Sequence, residues 1–388
     1  MRSSSGAYYP RLDHVRALAA FLVFFWHYSR IANSANPAPD FFPLSIFQQG
    51  WTGVALFMTL AGYLFAKIVD GKQIDYSNFL FNRLIRLGPL LAVVFAYYLL
   101  NGAITWTDIL HGVYNSARWF GPPWSLSVEI QFYILFPFLL LLQRRFGTTA
   151  LASTLILSIG TRFAIWLVHG EVQSWAYSTI VGCFDLFLLG MVLFQISKSE
   201  IVAKYAPWIF TVTLLAFTLF WHQFNPWGGF PPPSLLWIIL PTIQGAAWGT
   251  LLMTYEKMTF TMPRIIDRML ARIGEVSYSL YLWHMIVRDE FLKLHLFDFP
   301  TDLLQASLLT CALFVPMVAI AMLSFEIFER PFLRLRLRYT SDRHRILRQR
   351  NYPSPAAVEE AKVLASHSGT GTVIATAKRR WHPIFVLK

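Results

Sequence analysis

Arg16 and His27 stand eleven residues apart in the stretch RLDHVRALAAFLVFFWH. On an α-helix that spacing is about 20° past three full turns, so the two side chains share a face, about 16 Å apart along the axis. Asp13, three residues before Arg16, is placed to pair with it. An ionisable group inside a bilayer costs about 2.5–3.5 kcal/mol on insertion scales, so a buried one calls for a reason. An imidazole at that depth can act as a general base or a nucleophile, and a guanidinium at the edge can take an anionic group. The plainer alternatives are a histidine bridging two helices and an arginine anchoring the cytoplasmic end.

Glu129, in GPPWSLSVEIQFYILFP, is a second buried ionisable group. On its own helix it falls within about 6–7 Å of the depth of His27, so a carboxylate there could orient the imidazole and fix its tautomer. The alternative is a structural ion pair. Arg83 and Arg86, in FNRLIRLGP, lie three apart on one face at an expected helix start, and two guanidiniums can grip phosphate bidentately. The competing reading is a simple positive-inside anchor. Asp185 and His284 sit within apolar runs without an evident partner, and Glu329 next to Arg330 reads as a structural pair. Ser125 and Ser127 read as helix-contact hydroxyls.

The elements that must position these groups are membrane helices. Of the 388 residues, 55% are hydrophobic and 14% are charged, against about 25% charged in soluble domains. Ten segments are apolar and long enough to span: 16–34, 50–68, 84–102, 124–143, 150–168, 181–197, 206–223, 234–254, 276–294 and 304–327. Lys and Arg gather after every second segment, which places both termini in the cytoplasm. The predicted class is therefore an all-α, polytopic membrane protein with about ten transmembrane helices. The first apolar run has no small-residue cleavage site behind it and is expected to be retained.

Residues 1–338 form the expected membrane domain, and 339–388 a basic tail without fixed structure, apart from a short helix around AAVEEAKVL. Residues 331–388 supply +9 of the formal net charge of +12. Beside a membrane this points to anionic lipid, and no nucleic-acid motif accompanies it. Cys183 and Cys311 have no metal-ligand spacing and suggest no disulfide framework. No metal is expected.

Seven stretches in order resemble the acyltransferase-3 family of integral membrane O-acyltransferases: RLDHVRALAAFLVFFWH, GWTGVALFMTLAGYLF, FLFNRLIRLGP, WSLSVEIQFYILFP, CFDLFLLGM, SYSLYLWH and FERPF. The resemblance implies transfer of an acyl group, commonly acetyl, from an acyl-CoA donor to a sugar hydroxyl, in a bacterial inner membrane. It places the family's basic-residue and histidine motif on Arg16 and His27 and its paired arginines on Arg83 and Arg86. Its glutamate falls on Glu129 and its early aspartate on Asp13. The expected acceptor is a glycan, a lipid-linked sugar or a small hydroxylated molecule. Where the family has an aromatic run ending in Ser-Gly, this chain has Met58 and Ala61. Many relatives add an extracytoplasmic hydrolase-like domain. No loop here is long enough for one, so transfer is expected to finish in the membrane domain or on another protein. The rival readings are a proton-coupled transporter or flippase of a lipid-linked glycan, with His27, Asp185 and Glu129 as a proton relay, and a scaffold that binds through its tail.

Overall fold

The computed structural model describes residues 8–31, 42–116, 119, 121, 123–224, 226–227, 234–294 and 299–342. Eleven helices carry the architecture: α1 Pro10–Tyr28, α2 Gly53–Val69, α3 Tyr76–Leu100, α4 Pro123–Phe146, α5 Thr148–His169, α6 Ile180–Ile196, α7 Glu200–Phe224, α8 Leu240–Lys257, α9 Arg264–Glu275, α10 Ser277–Lys293 and α11 Leu303–Ser324. Each of the ten expected segments overlaps one of them. By length and composition, α2 to α5, α7 and α11 can cross a membrane, and α6 is apolar but shorter. The remaining four, α1, α8, α9 and α10, are the more polar helices.

The centre of the bundle is α2, which packs most extensively on α6 and also on α1 and α8. Two glycines allow the α2–α6 approach. A methyl on Gly62 would run into the Phe187 carbonyl, and one on Gly190 into the Thr59 carbonyl. Small residues at a crossing let backbones come close enough for dispersion to hold them where water offers no drive. Around this centre, α5, α7 and α11 turn apolar side chains outward, among them Val168, Leu157, Val212 and Val315. That suits hydrocarbon rather than water.

Several boundaries differ from the sequence reading. α1 starts at Pro10, in the first turn, where its missing N–H costs nothing. It ends at Tyr28 instead of 34, so His27 lies in its last turn and not at its middle; residues 32–34 lie outside the described residues. α3 begins eight residues earlier than expected. Asp75 caps it, accepting from the Asn78 N–H at 3.0 Å. Arg83 and Arg86 therefore sit two to three turns inside the helix rather than at its start. Its polar first turns lowered the hydropathy that marked the span.

The segment 264–275, read as a charged connection, is the amphipathic helix α9. It packs along α1 so closely that a methyl on Gly274 would collide with the Asp13 carbonyl. α11 runs into a π turn, Phe325–Glu329, followed by Arg330–Leu333. Pro331 cannot donate to the preceding turn, which accounts for the widened turn there.

A short strap lies at the boundary expected at Tyr339. Thr340–Asp342 pairs antiparallel with Lys72–Ile74, with Ile74 opposite Thr340. Tyr339 is buried, its ring 5.6 Å from that of Phe79. Asn82 grips the same strap twice: its Nδ2 donates to the Leu337 carbonyl at 2.6 Å, and its Oδ1 accepts from the Leu337 N–H at 2.9 Å. The tail beyond Asp342, with its expected short helix, lies outside the described residues.

Candidate active site

Three helices bring ionisable side chains to one cavity of about 120 Å³. Arg16 comes from α1, Arg83 and Arg86 from α3, and Glu129 from α4. Tyr133, Tyr278 and Tyr281 complete its polar wall, while Met58 and Ala61 of α2 contribute apolar surface. The sequence grouped these residues only by pairs. The structure gathers four of the six candidates around one space.

Their partners divide them. Arg16 donates to Asp13 Oδ1 at 2.6 Å, and Asp13 is buried. Arg86 faces Glu329 at 3.5 Å. Glu329 is fully buried and accepts from the Ser279 hydroxyl, while Arg330 pairs with Glu326. The expected Glu329–Arg330 pair is thus replaced by two others, because the π turn carries Glu329 inward. Arg83 has no carboxylate within 4 Å among the described residues. Its guanidinium lies over three rings, 5.0 Å from the centre of Phe65, 5.6 Å from Phe79 and 5.9 Å from Tyr133, and its Nε is buried without a hydrogen-bond partner. A fourth cation, Arg336, belongs to the strap held by Asn82. Burial, and the neighbouring Arg86 and Arg83 guanidiniums, push it down to about 9. Arginine keeps its proton at neutral pH, so this crowding is a standing positive field that an anion would relieve.

Glu129 accepts from the Tyr133 hydroxyl one turn along α4. It makes no hydrogen bond to His27 among the described residues, so the expected His27–Glu129 contact is absent. The partner of His27 is His284 on α10, with Nε2 of His284 3.3 Å from Nδ1 of His27. His27 is half-buried and does not line the cavity. Tyr281 stands between the two sites. Its hydroxyl meets Ser125 Oγ at 2.7 Å on the cavity side, and its carbonyl accepts from His284 Nδ1 at 2.6 Å. Sequence reasoning singled out His284 without a partner for it, since a contact between residues 257 apart leaves no local periodicity.

A different buried charge was missed altogether. Arg162 on α5 is fully buried and donates to Asp185 Oδ2 of α6 at 2.6 Å. It also reaches the Ile238 carbonyl at 2.6 Å and Thr242 Oγ1 at 3.1 Å. This explains Asp185. Opposite charges in two apolar runs, 23 residues apart, were the available signal. Among the described residues no group of three His, Cys, Asp or Glu side chains could hold a metal ion.

A family model described as an acyltransferase domain matches residues 9–326. The chain is 26% identical over 332 residues to the peptidoglycan O-acetyltransferase OatA of Listeria monocytogenes, covering 72% of this chain and 49% of that protein. It is 26% identical over 333 residues to a Staphylococcus aureus protein provisionally named an O-acetyltransferase, covering 72% of this chain and 50% of that protein. A provisionally named acetyltransferase of Acidianus two-tailed virus is 22% identical over 304 residues, covering 73% of this chain and 84% of that protein. The chain thus spans about half the length of the two bacterial relatives. No solved structure matches it. With the motifs of α1, α3 and α4 gathered in the helical body that the family model covers, the chain belongs to the acyltransferase-3 family of membrane O-acyltransferases.

Proposed function

We propose that the protein moves an acyl group, acetyl in the first instance, from a cytoplasmic acyl-CoA to a hydroxyl of a glycan or related sugar acceptor. The observation that carries this reading is the cavity where Arg16, Arg83 and Arg86 converge and where, among the described residues, Arg83 forms no carboxylate ion pair. A guanidinium over aromatic rings with open donors suits the phosphates of a nucleotide-bearing donor. Coenzyme A carries its phosphates and its thioester at opposite ends of a long flexible arm. This matches a separation of about 16 Å along α1 between Arg16 and His27.

In this account the ten helices other than α9 all cross the bilayer of a bacterial inner membrane, with both termini and the arginine end facing the cytoplasm. His27 accepts the proton of the acceptor hydroxyl. The oxygen attacks the thioester carbonyl, the carbon–sulfur bond breaks, and the proton passes to the departing thiolate. A covalent acyl-histidine is the other route. Asp13 holds Arg16 in place. Glu129, lining the arginine cavity and held by Tyr133, balances its positive field instead of orienting His27.

The test is donor binding by purified protein, read as thermal protection and calorimetric affinity for acetyl-CoA. The wild type is expected to bind, and Arg83→Ala to bind at least about 10-fold more weakly with an unchanged melting temperature. Equal affinity in both would remove the cavity from donor recognition.

A further inference from the structure

We propose that His284 is a positioning residue for His27, fixing its tautomer so that Nε2 is the nitrogen that takes the proton; this rests on the catalytic reading of His27. The hydrogen bonds assign the protons in order. Nδ1 of His284 meets the Tyr281 carbonyl at 2.6 Å, and a carbonyl only accepts, so Nδ1 carries the hydrogen. Nε2 of the neutral ring is then an acceptor. It faces Nδ1 of His27 at 3.3 Å, and that same nitrogen faces the Val23 carbonyl at 2.8 Å. Both neighbours of His27 Nδ1 are acceptors, so it holds the hydrogen and shares it between them. Its Nε2 is left as the basic nitrogen, and no described residue hydrogen-bonds to it.

The arrangement is locked from outside the rings. The Tyr28 hydroxyl, one residue from His27, donates to the His284 backbone carbonyl at 2.9 Å. It fixes the end of α1 against α10 at the level of the pair. His284 is fully buried, so its ring has little room to turn over. The charged groups around the pair are Arg288 and Asp289, bonded to each other at 2.6 Å, and Arg30, which lies 3.5 Å over the Trp26 ring. None of them hydrogen-bonds to either histidine. Two neutral acceptors therefore do for His27 what a carboxylate does in a serine-type triad: they hold the ring and stabilise the imidazolium that forms.

The experiment uses membranes holding the full chain, acetyl-CoA labelled in the acetyl group and a crude glycan extract of the host. His284→Leu removes the acceptor, and His284→Gln restores one. The leucine variant is expected to lose about 100-fold in turnover with the KM for acetyl-CoA within about twofold, and the glutamine variant to stay within about 10-fold of wild type. The acid limb of the pH–rate profile should move to lower pH in His284→Leu, because an imidazolium with one acceptor fewer gives up its proton more readily. Wild-type turnover in His284→Leu would overturn the proposal. So would equal losses in both variants with an unmoved pH profile, which is what a packing role would give. His27→Ala run alongside separates the two readings. If it is inactive while His284→Leu is intact, only the positioning role falls; if it is fully active, the reading of His27 falls and the positioning role with it.

Discussion

Two clusters of charge lie inside the helical body, and they are built in opposite ways. The Arg162–Asp185 clamp is closed on its donor side. Both residues are fully buried, and Arg162 spends its donors on Asp185, Ser158, Thr242 and the carbonyls of Gly182 and Ile238. The cavity around Arg16, Arg83 and Arg86 is open. Among the described residues, Arg83 is held there by aromatic rings rather than by a carboxylate ion pair. Burial of charge is therefore a poor marker of chemistry in this protein. A buried charge with unused donors beside a space is a better one, because its desolvation cost is offset only when a ligand arrives.

The comparison can be broken most forcefully at the clamp. Arg162→Leu leaves Asp185 buried and unpaired, and is expected to cost about 3–5 kcal/mol, enough to abolish recovery of folded protein. Arg162→Leu with Asp185→Leu should restore much of the melting temperature, since no charge is then stranded. If the single variant melted like wild type, the clamp would not be architectural. At the cavity the same kind of change should leave folding alone. Arg83→Ala removes a cation without an ion pair and is expected to shift the melting temperature little while weakening acetyl-CoA binding at least about 10-fold. A comparable loss of stability at both places would erase the distinction.

Smaller changes sharpen it. Glu129→Gln keeps the side-chain shape and an acceptor for Tyr133 while removing a negative charge from the cavity. Calorimetry should show acetyl-CoA binding tightened by a few fold, roughly 0.5–1 kcal/mol, with a steeper dependence on salt. Weaker binding would mean that Glu129 contacts the donor or holds the arginines in place. At the bottom of the scale, Lys198→Ala breaks an exposed pair with Asp70, 2.7 Å apart, and should change stability by less than about 1 kcal/mol.

The sequence carried the helical body well because apolar runs of bilayer length have few other uses. It carried the site in part. The spacing of Arg16 and His27 and the motif around Glu129 were visible, and so was the grouping of Arg83 with Arg86. What it could not carry was pairing across helices. His284, Glu329 and Arg162 each find their partner on another helix, and hydropathy periodicity says nothing about which faces meet. The polar residues also blurred the elements that hold them. α1 and α10, which bring His27 and His284 together, are not among the helices that qualify as spans by length and apolarity. Asp75 capped α3 nine residues before the apolar run began, and the charges of α9 made an amphipathic helix read as a connection.

The central claim is that His27 carries acyl transfer from a coenzyme A thioester, and one measurement addresses it most directly. Membranes containing wild-type protein or His27→Ala are given acetyl-CoA labelled on the acetyl group, together with the host's glycan extract, and label in the glycan is counted. The account predicts transfer in the wild type and a loss of at least about 100-fold in the variant. Equal transfer by both proteins would contradict it.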